Sequence, residues 1–203
     1  MKLINLNIEA ISRPPVYFSP GVNHVNLKQS YLHGTSDTVA LYLDAESNYN
    51  KILDNEIEVN TAQQLMALDG SAHNKIENNY FILNDNGGIY LYRNCGEGGT
   101  VHHQKPSFNQ IKANYFSYNN ISDNNSNNPA IYISANNGQQ SYCTDDDEAL
   151  NEATTYANIM VPSFRPDAKA ETIDFECLIA TNSEGYYKYL TCPRAGSHFV
   201  NKD

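Results

Sequence analysis

Apolar and polar residues alternate in short runs along most of this chain, with no helical period between the runs. Such alternation places the aliphatic residues of a run on one face and the residues between them on the other. The clearest runs are residues 40–44, 65–69, 88–92 and 130–134, with the aliphatic pairs Leu41/Leu43, Met66/Leu68, Ile89/Leu91 and Ile131/Ile133. The pattern predicts short β-strands joined by polar turns.

A second pattern recurs between these runs. Residues 50–57, 74–81 and 109–116 share the order N-x-I-x-x-N-x-[FI], and residues 27–32 are a degenerate copy. A unit of this size cannot bury its apolar side alone, whereas stacked units can. Equivalent positions are spaced by 25, 24 and 35 residues, the last being the same unit with an insertion: Leu27, Ile52, Ile76 and Ile111.

This repeat resembles the right-handed parallel β-helix of pectate-lyase-like proteins over about residues 22–140. The resemblance implies an all-β solenoid with coils of about 24 residues, whose equivalent residues lie about 4.8 Å apart. It also accounts for asparagine, which makes up 28 of the 203 residues. We expect two structural ladders of stacked amides, one formed by Asn50, Asn74 and Asn109, the other by Ser30, Asn55, Asn79 and Asn114.

The repeat divides the chain into coils over residues 1–143 and a C-terminal segment, residues 144–203, of the same domain. Thr144 followed by four acidic residues matches a helix N-cap, which predicts a short helix over the following residues, 149–157. Because an open β-helix end exposes strand edges, we expect the C-terminal segment to cap one end. At the other end, the first twenty residues either form a makeshift cap or adjoin further coils or subunits.

Charge and cysteine content limit the partners and the compartment. The formal net charge of −10 disfavours nucleic acid and anionic membranes, and no apolar run is long enough to span a bilayer. The opening residues lack the apolar stretch of a signal peptide. We nevertheless expect a secreted or periplasmic chain with disulfides, because four cysteines occur without a C-x-x-C pair: Cys95, Cys143, Cys177 and Cys192.

The expected stacking gathers a polar cluster at the end of the second repeated strand. Asp44 aligns with Asp69, then with Tyr92 and Ser134, all expected to face solvent. Two stacked aspartates repel unless a shared proton, a bound cation or an arginine relieves them, and Arg93 lies one coil further. The glycine-rich insertion at residues 95–103 can fold over this surface. The catalytic candidates are therefore Asp44, Asp69, Arg93, His102 and His103.

Outward residues beside the cluster are candidates for substrate binding: Tyr42, Glu46, His73, Tyr90, Tyr92 and Tyr132. Tyrosines offer flat faces to sugar rings. Carboxylates with a basic partner suit a lyase that removes the proton beside a uronate carboxyl, and a carboxylate pair suits a hydrolase. In the alternative interpretation, Asp44 and Asp69 simply begin turns and the tyrosines pack under a terminal tail.

Two functions follow from this reasoning and both stay open, because a fold does not determine an activity. The first is a polysaccharide-directed protein, a lyase or hydrolase of uronate-containing glycans. The second is a non-catalytic module that binds glycans or serves as a structural solenoid in a larger exported or phage-tail-like assembly. No resident cofactor is expected, with a bound calcium ion as the alternative, and the histidines lack metal-site spacing.

Overall fold

The computed structural model describes residues 1–84, 86–92, 106–120, 130–133, 150–161, 171–181 and 187–189. For residues 92, 118–120 and 133, and for everything from residue 150 onward, only the backbone is described. Up to residue 133, five successive sets of three strands follow one another in this part of the chain. Each set forms one coil of a parallel β-solenoid.

The strands fall into three columns according to their position in the coil. First strands are Lys2–Ile4 (β1), Asn26–Lys28 (β4), Lys51–Leu53 (β7), Lys75–Glu77 (β10) and Asn109–Lys112 (β13). Second strands are Asn7–Ser12 (β2), Tyr31–Ser36 (β5), Glu56–Thr61 (β8), Tyr80–Asn84 (β11) and Tyr115–Asn120 (β14). Third strands are Val16–Phe18 (β3), Leu41–Leu43 (β6), Met66–Asp69 (β9), Ile89–Tyr92 (β12) and Ile131–Ile133 (β15).

The strand register confirms the period found in the sequence. Ile52 pairs with Leu27 on one side and with Ile76 on the other, in parallel strands. Ile76 in turn pairs with Ile111, so the insertion before the fifth coil leaves the register intact. The residues of one repeat position are therefore vertical neighbours, and the predicted all-β solenoid is correct.

The solenoid begins earlier than the recognisable repeat. Leu3 pairs with Leu27, and β2 and β3 pair in register with β5 and β6. The first twenty residues therefore form a complete coil of the solenoid and not a makeshift cap. The repeat was hidden there because Met1 and Leu6 stand where the third coil has the ladder residues Asn50 and Asn55.

The core is one continuous stack of apolar side chains inside the coils. Each strand column contributes an inward file, and the aromatic pair Phe81 and Phe116 stacks within it at 5.1 Å between ring centroids. Burying an aliphatic or aromatic side chain of this size contributes about 1.5–3 kcal/mol, so every added coil strengthens the whole. The largest fully buried residues include Leu27, Leu32, Leu41, Leu43, Ile52, Ile57, Leu65, Met66, Leu68 and Ile76.

The predicted asparagine ladders are confirmed, and their hydrogen bonds run along the solenoid axis. In the second ladder, the backbone N–H of Asn55 donates to Oδ1 of Asn79, and that of Asn79 donates to Oδ1 of Asn114, both at 3.0 Å. Nδ2 of Asn79 also donates to the backbone oxygen of Ile52 at 2.8 Å. These amides are buried, so each satisfies backbone groups that a dry interior would otherwise leave unpaired.

The first ladder works in the same way. The backbone N–H of Asn50 donates to Oδ1 of Asn74 at 2.8 Å, and that of Asn74 donates to Oδ1 of Asn109 at 2.9 Å. Val25 holds this position in the second coil, and its N–H donates to Oδ1 of Asn50. The bonds connect coils separated by up to 35 residues, and they hold the turns of successive coils at one spacing.

A sharp corner between the first and second strands repeats in all five coils. The residue just before the second ladder has a positive φ of 53–59° in each case. Outside glycine this left-handed conformation costs about 1–2 kcal/mol, and it is cheapest for Asn and Asp. The five corner residues are Asn5, Gln29, Asp54, Asn78 and Ala113.

The C-terminal segment corrects one prediction. Leu150–Val161 is a β-strand (β16) and not a helix, while residues 144–149, with the proposed cap, lie outside the described residues. β16 pairs in parallel with both β13 and β14, because it continues the solenoid where a helix would leave those edges open. Glu171–Thr181 (β17) then pairs antiparallel with β16, and Tyr187–Tyr189 (β18) pairs antiparallel with β17.

Two further expectations concern disulfide bonds and membrane spans. Cys95, Cys143 and Cys192 lie outside them, and for Cys177 only the backbone is described, so the disulfide pairing stays a prediction. Within the described segments, no helix has both the length and the apolar character needed to cross a membrane.

Candidate functional site

A file of tyrosines runs along the outer face of the third strands. Tyr42 pairs with Tyr17 on one side and with Ala67 on the other. Ala67 in turn pairs with Tyr90, and Tyr90 with Tyr132. The binding candidates Tyr42, Tyr90 and Tyr132 therefore lie in one file, and Tyr17 extends it by one coil.

The rings in this file stack in two pairs. The centroids of Tyr17 and Tyr42 lie 5.5 Å apart with 23° between the planes, and those of Tyr90 and Tyr132 lie 5.1 Å apart at 40°. Ala67 separates the pairs but is fully buried, so neighbouring side chains cover it. Tyr17 is the most exposed of the file, at 52%.

The aspartates beside the file accept hydrogen bonds from the tyrosine hydroxyls. Tyr42 donates to Oδ2 of Asp69 at 2.7 Å, and Tyr17 donates to Oδ2 of Asp44 in a short hydrogen bond. The backbone N–H of Ala45 donates to Oδ1 of Asp44 at 2.7 Å. The two carboxylates are therefore held by hydroxyl donors from the preceding coil, and not only by the shared proton, cation or arginine that their repulsion suggested.

Asp69 does not face solvent as predicted. It is 1% exposed, whereas Asp44 is half-buried. Each carboxylate accepts a hydrogen bond from a tyrosine of the preceding coil, so this bond alone does not account for the difference in burial. A substrate in solution can therefore reach Asp44 but not Asp69 in this arrangement.

The phenols are strongly biased towards their neutral form. Partial burial, and then the hydrogen bond to Asp44, raise the pKa of Tyr17 from 10.0 to about 12. Burial, followed by the neighbouring Tyr132, also raises the pKa of Tyr90 well above its ordinary value. A neutral phenol remains a hydrogen-bond donor, so both rings keep their hydroxyl protons at physiological pH.

An open groove of about 530 Å³ lies against the first tyrosine pair. Its walls come from the loop after β2, from β3 and β6, and from the loops that precede β6 and β9. Arg13 and Asp44 both line this groove, while the predicted Arg93 lies outside the described residues. The lining residues are Arg13, Pro14, Tyr17, Thr38, Val39, Tyr42, Asp44 and Gln63.

The remaining predicted residues are distributed as follows. Glu46 is half-buried in the turn after β6, where its N–H donates to the backbone oxygen of Gly70. Tyr92 is in register with Asp69, but its side chain is not described. His102 and His103 lie outside the described residues. Their catalytic or binding roles stay predictions.

His73 belongs to a different surface, a column of four exposed aromatic rings in the turn before the first strands. Its centroid lies 4.8 Å from that of Tyr49 and 5.0 Å from that of Phe108. His24 completes the column, 5.4 Å from Tyr49. All four residues have positive φ angles of 57–59°. We call this set the aromatic column: His24, Tyr49, His73 and Phe108.

The sequence carried signals for the residues that were missed. Tyr17 precedes Tyr42 by 25 residues, and the members of the aromatic column are spaced by 25, 24 and 35 residues, as are the buried aliphatic positions. Arg13 and Gln63 carried no such signal, because they lie in loops of different coils that meet only through the fold.

Metal binding finds no support in the described side chains. No group of three or more His, Cys, Asp or Glu residues there is arranged to hold an ion. Oδ2 of Asp69 accepts the hydrogen bond of Tyr42. The calcium ion considered as an alternative stays a prediction.

Parallel coils, inward aliphatic files and amide ladders define the protein as a β-helix. The family model for the right-handed beta helix region matches residues 2–114, which is more than half of the chain. The chain therefore belongs to the right-handed β-helix family, and the similarity to pectate-lyase-like proteins is consistent with this assignment. No curated protein and no solved structure matches the chain significantly.

Proposed function

We propose that this protein binds a polysaccharide chain in the groove beside Tyr17 and Tyr42. The observation that carries the proposal is the combination of a half-exposed, stacked tyrosine pair with Arg13 and Asp44 in one open groove. Aromatic faces pack against the C–H groups of sugar rings, and the flanking charged side chains bond to hydroxyl and carboxylate groups.

Tyr17 is the main contact in this proposal. It lies on β3, at the end of its sheet, where its partner Tyr42 covers one face of the ring. The hydrogen bond to Asp44 fixes the phenol in place, so little side-chain entropy is lost when a sugar packs on the remaining face. Arg13 supplies donors suited to a carboxylate, which favours glycans that contain uronic acids.

Binding and cleavage are separable in this proposal. Asp69, one of the two carboxylates expected to act, is buried and accepts a hydrogen bond from Tyr42, and a general base must reach the proton that it removes. This burial favours the non-catalytic alternative, a glycan-binding module. Incubation with polygalacturonate and alginate, monitored for unsaturated and reducing ends, tests it directly: new ends that appear with the wild type and disappear with Asp44→Asn would establish cleavage instead.

Calorimetric titration of the full chain with uronate oligosaccharides and with neutral oligosaccharides of the same length tests binding. Tyr17→Ala is expected to weaken the affinity at least tenfold, whereas Tyr17→Phe, which keeps the ring, changes it less than threefold. Tyr80→Ala is the matched control, because Tyr80 also stacks on a tyrosine but lies on β11 in the other sheet. Equal affinity of the wild type and Tyr17→Ala for every glycan would refute the groove as the site.

A further inference from the structure

We propose that the face formed by the first strands and the turn before them is a second binding surface, for an anionic polysaccharide. This surface combines the aromatic column with an exposed lysine file on the first strands. The file places Lys51 directly beside Lys75 and, through Asn26, in line with Lys2. We call the column and the file together the basic strip, and it stands independently of the groove.

The lysine file concentrates positive charge on a chain whose formal net charge is −10. Lys51 and Lys75 are both exposed and are neighbours in register, so their ammonium groups repel each other unless an anion lies between them. Within the described side chains, the ion pair of this sheet joins Lys28 to Asp54 at 3.3 Å, in the adjacent file. The two lysines therefore gain from a negatively charged partner.

The aromatic column adds to this preference through the orientation of its rings. Tyr49 has a stacked ring on both faces, His24 on one side and His73 on the other, yet it is 50% exposed. The exposed part must then be the ring edge and the hydroxyl. Ring edges carry the positive part of the aromatic quadrupole, so the column presents anion-compatible edges and hydrogen-bond donors to solvent.

The column and the file lie close enough to contact one partner. Each ring residue precedes a residue of the file by two positions, as Tyr49 precedes Lys51 and His73 precedes Lys75. Two residues of chain span at most about 7 Å. Two carboxylates also lie near the edges of the basic strip. Glu46 is three residues before Tyr49, and Glu77 is two residues after Lys75, where it is in register with Lys112.

The backbone angles of the aromatic column indicate that its rings serve a purpose other than forming the turn. All four column residues adopt the left-handed conformation, which glycine and asparagine adopt at lower cost. The corner between first and second strands, where the same conformation recurs, is occupied mainly by Asn, Asp and Gln. Aromatic side chains at four successive strained positions therefore suggest selection for the surface that they form.

A repeating anionic glycan fits this surface better than other polyanions. The aromatic column has one ring in each of four successive turns, and Lys51 and Lys75 lie in successive coils, which matches a polymer with charges at regular intervals. Single-stranded nucleic acid binds aromatic residues by stacking bases on free ring faces, and the inner rings of the column have none. The partner class is thus a polyuronate or a sulfated polysaccharide.

Binding of the full chain to polygalacturonate, dextran sulfate, uncharged dextran and poly(dT), measured at two salt concentrations, tests the inference. Lys51→Gln/Lys75→Gln is expected to weaken binding to the charged glycans at least tenfold and to make its salt dependence shallower, because fewer counterions are released. Lys28→Gln/Lys112→Gln carries the same change of charge on the adjacent file and is expected to change affinity less than threefold. Equal losses in both double variants would overturn the proposal.

A second pair of variants tests the rings without straining the backbone. Tyr49→Asn and His73→Asn keep a residue that tolerates the left-handed conformation, and each is expected to weaken binding to polygalacturonate at least threefold with an unchanged thermal midpoint. Unchanged affinity in both would exclude the column from the site. Tighter binding of poly(dT) than of either charged glycan would overturn the assignment to a polysaccharide. Tyr17→Ala, which removes the groove contact, is expected to leave the binding of dextran sulfate intact, because this polymer has no uronate for the groove, so the two sites fail separately.

Discussion

The hydroxyl of Tyr42 donates a hydrogen bond of 2.7 Å to Oδ2 of Asp69, a residue 27 positions further along the chain. The same offset joins Tyr17 to Asp44 and Tyr31 to Glu58. One coil of displacement plus two residues along the strand makes each contact a diagonal across neighbouring strands, a distance that long aromatic side chains can bridge. Asp44, Glu58 and Asp69 are thus each held by a tyrosine of the preceding coil.

This arrangement predicts a fall in stability at high pH. The pKa of Tyr17 is raised from 10.0 to about 12 in the folded protein, so the folded state holds this proton more tightly than the unfolded state does. The associated stability is fully present below pH 10 and is lost as the pH rises through about 12. Denaturant unfolding across this range should show the decline, and Tyr17→Phe should reduce it. An identical decline in Tyr17→Phe would assign the effect to other groups.

The hydrogen bond of Tyr31 gives a second, spectroscopic prediction. The bond to Glu58 at 2.7 Å is the largest cause of the raised pKa of Tyr31. Glu58→Gln removes the negative charge, and the pKa of Tyr31 is expected to fall towards its ordinary value. Tyrosinate absorbance in a pH titration, with Tyr31→Phe used to assign the transition, measures the change. A titration curve that Glu58→Gln leaves unaltered would contradict the role of the carboxylate.

The ladder asparagines are expected to be among the most sensitive polar positions. Asn79→Ala removes the bond to the backbone oxygen of Ile52 and leaves the buried N–H of Asn55 without its acceptor. Losses of this kind cost about 3 kcal/mol. Asn60→Ala is the control, because Asn60 is exposed on β8 and should change the free energy of unfolding by less than about 0.5 kcal/mol. Urea denaturation compares the two, and similar midpoints would show that the ladder contributes little.

The corner of the fifth coil offers a stabilising substitution. Ala113 has a φ of +53°, a conformation that costs an alanine about 1–2 kcal/mol. Ala113→Gly relieves this strain at some cost in chain entropy, so we expect a net gain of about 0.5–1 kcal/mol. Ala67→Gly, on a buried strand position with ordinary backbone angles, should instead lose about 1 kcal/mol. Thermal unfolding that lowers the midpoint in both would show that the corner is not strained.

Close packing between coils predicts an unequal response of two glycines. A Cβ on Gly88 would collide with the backbone oxygen of Ala130 in the next coil and lie 3.1 Å from Cδ2 of Leu83. Gly88→Ala should therefore cost about 3 kcal/mol. Gly21 has a φ of +77° but open space around it, so Gly21→Ala should cost about 1 kcal/mol, the conformational term alone. Equal losses by chemical denaturation would indicate that the coils can separate to admit the methyl group.

The part of the fold that could be predicted is the part that repeats. Ile52 and Ile76 are identical residues at matching positions of the repeat, and stacking the repeats places them side by side. The amide ladders followed for the same reason. Periodicity constrains which residues are vertical neighbours, and that constraint is independent of side-chain detail.

The predictions failed where the structure depends on competing local preferences or on contacts between residues outside the repeat. The acidic run after Thr144 favours a helix by itself, but residues 150–161 pair with β13 and β14, and those hydrogen bonds outweigh the local preference. The burial of Asp69 depends on how neighbouring side chains pack, and Arg13 reaches the groove through a loop outside the repeat. None of these contacts is encoded in spacing along the chain.

The ladders also bear on how such a molecule changes over time. Asn55 offers a donor to the coil after it and Nδ2 to the coil before it, and Asn79 does the same 24 residues later. Each of these coils makes the same kind of hydrogen bonds to the coil before it and to the coil after it. Duplicating residues 50–73 therefore inserts a coil that fits between those already present. Duplication or loss of a gene segment of this length can therefore lengthen or shorten the solenoid by one whole coil. Each such change extends or shortens the outer faces and leaves the packing of the interior unchanged.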